Sequence, residues 1–142
     1  MTHTTIAGFT QAAQQAQQWV NELADDLNWD ERRAHRLLRS VLHALRDWLS
    51  TEEMADLSAQ LPVLIRGIYF EGWNPPKSQA EERSKEAFVR RVENDFRDDQ
   101  LYDADAAIAA VFRLLDRHVS EGEIAQVRNS MKKSLRNLWP AD

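Results

Sequence analysis

The chain has 142 residues, of which 43% are apolar and 29% charged, with a formal net charge of −5 and no cysteine. That length holds one ordinary domain with its own core, and that composition excludes a disordered chain. The lack of Cys excludes disulfide scaffolding, thiolate catalysis and Cys-ligated zinc, while the acidic balance opposes nucleic acid and anionic membranes unless a local basic patch intervenes.

The first residues are rich in Thr and Gln, with no basic segment ahead of an apolar run, so no secretory signal is expected. The strongest apolar stretch, Leu61–Ile65, falls far short of the ~20 residues of a membrane span. A cytoplasmic protein without membrane partners is the expectation. A first helix is expected over about 6–27. In it Phe9, Ala13, Ala16, Val20, Leu23 and Leu27 recur every three or four residues, an apolar seam that runs through an arm at about Ile6–Gln18.

Asp30 is placed to cap a second helix over about 31–49, whose apolar face carries Ala34, Leu38, Val41, Leu42, Leu45, Trp48 and Leu49. Opposite that face lie Arg32, Arg36, Arg39, His43 and Arg46, a stripe expected to be solvent-exposed. Such a row of donors suits phosphate, whereas its plain reading is a solvated face balanced by Glu31 and Asp47.

Ser50-Thr-Glu-Glu53 reads as a capping box for a third helix over about 51–70. Pro62 lies inside it and removes a backbone donor, so a kink or break is expected near Ser58–Gln60. Just past its end, Gly72 is expected in the left-handed conformation, with Trp73 folded back onto Ile68 in a Schellman stop. Arg66 is expected to reach a carboxylate. The segment Gly72–Gln79 contains Pro75 and Pro76 and reads as a linker, about 72–83.

Shifted by 70, the sequence registers with itself: Ala34 meets Ala104, Val41 meets Val111, Leu45 meets Leu115, Ser50 meets Ser120 and Glu53 meets Glu123. Upstream the shift becomes 69, so that Trp19 meets Phe88 and Leu23 meets Val92. Three further helices are therefore expected, over about 84–97, 103–119 and 121–138. Asp99 or Asp103 would cap the second of these and the box Ser120-Glu-Gly-Glu123 the third. The arginine stripe is not repeated: Tyr102, Ala106 and Ala109 stand where Arg32, Arg36 and Arg39 stand in the first copy. Small side chains let another helix approach closely, so Tyr102, Ala106 and Ala109 form a candidate interface. Phe9 and its arm are expected to cover it, within the chain or across a symmetric dimer.

The stretch Gln60-Leu-Pro-Val-Leu-Ile-Arg-Gly-Ile-Tyr-Phe-Glu-Gly-Trp73 resembles a bacterial family known as domain of unknown function 2267. The resemblance extends over most of the chain, and it implies the doubled helical architecture without implying an activity. The second copy departs from the motif, with Lys132 at the place of Pro62 and Asn137 at that of Gly67.

Together these features predict an all-α, six-helix single domain over 1–142, built from two tandem three-helix repeats at about 6–73 and 84–140. His3, His35, His43 and His118 lack the i, i+3 or i, i+4 spacing of helical metal sites, so no metal, cofactor or catalytic residue is expected. The expected function is a non-catalytic interaction protein that binds another protein or itself. The alternative is polyanion or nucleic-acid binding through the arginine stripe; a small helical enzyme or metal-binding protein comes third.

Overall fold

Short polar side chains set the helix starts, because each can accept from a backbone N–H that has no intrahelical partner. Asp30 accepts from Arg33 N, Ser50 from Glu53 N, Ser84 from Ala87 N, Asp103 from Ala106 N and Ser120 from Glu123 N. Asp103, not Asp99, is thus the second-half cap. In the computed structural model, which describes residues 2–75, 80 and 82–141, the described residues contain no strand and form eight helices, of which these caps open five. They are α1 (Ala7–Leu27), α2 (Glu31–Trp48), α3 (Thr51–Ser58), α4 (Val63–Phe70), α5 (Lys85–Asn94), α6 (Ala104–His118), α7 (Glu121–Asn129) and α8 (Lys133–Arg136). Of the expected linker, residues 76–79 and 81 lie outside the described residues.

Among the described residues eight helices stand where six were expected, because the stretches expected as single helices over about 51–70 and 121–138 each break, the first beside the expected Ser58–Gln60. Pro62 does not kink a continuous helix; it becomes the N-cap of α4, where its missing N–H costs nothing. Arg66 holds this break together, donating to Ser58 O at 2.8 Å and Leu61 O at 2.9 Å, so it meets carbonyls rather than the expected carboxylate. The second break has no proline. There the Ser130 hydroxyl takes Val127 O at 2.6 Å, and the Trp48 indole takes Ser130 O at 3.3 Å, so side chains compete for the carbonyls a longer helix would use. The Ser50 box is complete, whereas the Ser120 box is half-formed: Ser120 N donates to Gln60 Oε1, across the molecule, and not to Glu123.

Gly72 is left-handed at φ 70°, but not in a Schellman motif. Glu71, at φ −58° and ψ 125°, precedes it, and Trp73 N donates to Phe70 O at 3.0 Å. That is a type II turn, which needs glycine at its third position. Trp73 packs against the Phe70 ring, centroids 5.5 Å apart.

The core sits on α2 and α6. Leu37, Leu38, Val41, Leu42 and Leu45 of α2 are fully buried, as are Ile108, Val111, Phe112, Leu114 and Leu115 of α6, each contributing about 1.5–3 kcal/mol of apolar burial. α2 packs against α1, α4, α5 and α6, and α6 against α1, α2, α5 and α7, while α3 packs on α7. The first helix of each half therefore reaches the long helix of the other. At one junction Trp19 stacks on His118, and Arg117 bridges Glu22 at 2.6 Å and Asp26 at 3.1 Å. At the other Phe88 meets Trp48 edge-on, and Arg91 bridges Asp47 at 2.6 Å. The members of the two sets stand 69 or 70 residues apart, with the charges exchanged.

Candidate functional site

The basic face of α2 is not the open row of donors its helical wheel suggests. Two pieces of chain lie over it. The C-terminus of α4 covers the later half, and its last carbonyls, left without intrahelical donors, need partners. His43 donates Nε2–H to Ile68 O at 2.7 Å; Arg46 Nη1 donates to Tyr69 O at 3.0 Å and Glu71 O at 2.9 Å. Arg39 holds the Glu71 carboxylate at 2.7 Å. Cations at a helix C-terminus also meet the negative end of its dipole.

Arg46 is 5% exposed and Asp47 3%, contrary to the expected solvent exposure of the stripe. Their burial is supported by a forked pair, Arg46 Nε and Nη2 on the two Asp47 oxygens at 2.8 and 3.1 Å, with Arg91 closing the far side. Burial pushes the half-buried His43 imidazole below its ordinary value, and Arg46 and Arg39 push it the same way against the bond to Ile68. These surroundings favour the neutral imidazole, which adds no charge to an anion site.

The turn after α5 covers the earlier half. Arg36 binds the Asp98 carboxylate and Asp95 O, its guanidinium lying 4.7 Å from the Phe96 ring centroid. Ser40, buried, donates to Asp95 Oδ2 at 2.6 Å. Arg33, which the stripe omitted, reaches Asp99 at 2.9 Å and stacks 3.9 Å over Trp29. Arg32 is exposed beside this turn. A small cleft lined by Arg36, Arg39, Ser40, His43 and Asp95 remains between α2 and the α5 turn. Its Ser and His are committed to different partners, so they do not form a nucleophile and base joined to each other. Among the described residues no three His, Asp or Glu side chains are grouped to hold a metal ion.

The candidate interface is open. Tyr102 is fully exposed, Ala106 is exposed and Ala109 half-buried. Phe9, 71% exposed, does not cover them, so the expectation that the arm closes over this face within the chain is overturned. The reason lies in how α1 docks. Its buried residues are Trp19, Val20, Leu23 and Ala24, with Ala16 and Leu27 partly buried. Successive steps of three or four residues extend that line through Ala13 to Phe9, on the face that points to the core further down. There the body has ended, and Ala13 and Phe9 are exposed. Sequence periodicity locates the seam but cannot locate the edge of what it packs on.

No helix among the described residues is long and apolar enough to cross a membrane. A family model described as an uncharacterized conserved protein, DUF2267, matches residues 16–138. The match begins inside α1 and leaves Ile6 and Phe9 upstream of it. No curated protein matches the sequence.

Proposed function

The chain belongs to the DUF2267 family of uncharacterized conserved proteins, and because that membership brings no activity with it, we propose from the geometry that it is a non-catalytic helical interaction protein of the cytoplasm, made of two tandem three-helix repeats. The recurrence of capping residues, helix breaks and cross-half contacts at offsets near 70 supports the two-repeat arrangement. Against that background α1 is the outlier: it has 21 residues and its counterpart α5 has 10.

One observation carries the interaction reading. The apolar line of α1 overruns the body and leaves Ile6 59% and Phe9 71% exposed, in a stretch without any charged side chain from Thr4 to Asn21. Soluble surfaces rarely keep such a helix face unless a partner covers it. The polyanion alternative has less support, since Arg36, Arg39 and Arg46 already hold intrachain carboxylates and carbonyls, leaving Arg32 as its main donor. A photo-crosslinking residue in place of Phe9, in the native cell, should give discrete protein adducts that the same residue in place of the exposed Glu52 does not. Equal or absent adducts at the two positions would rule the arm out as the binding element.

A further inference from the structure

Glu53 and Glu123 each stand three residues after a capping serine, half-buried, on the helices α3 and α7 that pack on one another. Their carboxylates have different partners. Glu53 accepts from Ser50 Oγ at 2.9 Å and from Ser50 N at 3.4 Å, the bonds of a complete capping box. The equivalent donor for Glu123 is taken from across the seam: Gln60, just past the end of α3, accepts from Ser120 N at 3.3 Å. Among the described residues no hydrogen bond or ion pair ends on the Glu123 carboxylate.

What faces that carboxylate is acidic. From α3 come Asp56 and Glu53. From α4 comes Tyr69, whose hydroxyl donates to Met54 O at 3.1 Å and is kept neutral by burial. The charges near the end of α6 are engaged elsewhere: Arg117 and His118 hold Glu22, and Asp116 shares a separate cleft with Glu121 and Arg128 of α7. Burial, then Asp56, then Glu53 push the Glu123 carboxyl above its ordinary value.

We propose that the α3–α7 seam is an acid-strengthened contact between the two halves, with Glu123 as its titrating group. A carboxyl raised by folding takes up its proton first in the folded chain. Its charge therefore weakens the seam at neutral pH, and the weakening fades as pH falls through the folded value. The α1–α6 junction responds in the opposite sense. There burial raises the Glu22 carboxyl, but Arg117 and His118 outweigh it and hold the group below its ordinary value. Acid thus moves the grip between the halves from the α1–α6 junction to the α3–α7 seam.

Carbon-13 NMR of the full chain can follow the Glu123 carboxyl directly. Its midpoint should lie above 4.5, and Asp56→Asn, at an exposed position of α3, should lower it. Urea melts followed by Trp fluorescence read the consequence for the fold. Glu121→Gln, exposed in the same first turn but off the seam, controls for loss of negative charge at the helix N-terminus. Of the two variants Glu123→Gln should have the higher urea midpoint at about pH 7, and its advantage should shrink as pH falls toward 4.5. A Glu123 titration at or below 4.5, or one that Asp56→Asn leaves in place, overturns the inference. So does a Glu123→Gln melt no better than that of Glu121→Gln, or an advantage independent of pH.

Discussion

Replacing Asp47 by Ala should be among the most destabilising single changes in the protein. Its carboxylate is 3% exposed and takes three charge-assisted contacts, two from Arg46 and one from Arg91. Deleting it leaves the Arg46 guanidinium buried, with only Tyr69 O and Glu71 O as acceptors. Breaking a buried pair in this way costs about 3–5 kcal/mol, because an uncompensated charge remains in the interior. A chain of this length is held by roughly 7–20 kcal/mol, so the loss should be plain in a urea melt followed by Trp fluorescence. Arg91→Ala, at the 39% exposed end of the same cluster, should cost no more than about 1 kcal/mol. The contrast between these two variants carries the argument. An Asp47→Ala midpoint within experimental spacing of Arg91→Ala would refute the view that Arg46 depends on Asp47.

Gly72→Ala should cost about 1 kcal/mol through its positive φ alone, since a Cβ there meets open space; a neutral melt would exclude the type II turn. Glu22 tests the α1–α6 junction by pH. Burial raises its carboxyl, but hydrogen bonds from Arg117 and His118 outweigh this and hold it below 4.5. A depressed carboxyl contributes stability above its unfolded value and loses it as pH falls through the folded one, so Glu22→Gln should flatten the acid limb of stability below about pH 4.5. Superimposable limbs would contradict the pairing. Finally, the wild type should pass unretained over heparin at about 50 mM salt, where phosphate-type contacts are strongest. Retention abolished by Arg32→Glu would restore the polyanion reading.

What the sequence made legible was local. Asp30, Ser50 and Ser120 announce helix starts because a cap involves residues three apart, and Gly72 announces its left-handed turn for the same reason. The break at Ser130 is only partly local: the Ser130 hydroxyl reaches Val127, but the Trp48 indole that takes Ser130 O lies 82 residues away. The basic face of α2 was located correctly and its surroundings misread. A helical wheel shows which side chains share a face, not what lies over it. The partners of His43 and Arg46 are backbone carbonyls, which every residue has, so no residue type in the sequence marks Ile68 or Tyr69 as acceptors. Arg33 and Arg91 were missed because their roles appear only when distant turns come together; Asp47 was read as a partner of the stripe, but as a solvated one and not a buried one.

The exchanged charges at the two cross-half junctions have a consequence for assembly. Under the two-repeat arrangement, Glu22 sits against Arg117 and Arg91 against Asp47, so each half offers an acidic pair of positions or a basic pair. Two first halves brought together in the same way would set Glu22 against Asp47, and two second halves Arg91 against Arg117. Either mismatch juxtaposes like charges, one of them at the buried Asp47 site, while a first half with a second half satisfies both. The halves thus carry a mating code that admits only the mixed pair. It discriminates against the pairing of like halves, which would otherwise compete for the same apolar faces, and leaves the pairing of unlike halves to be favoured by their tether within one chain.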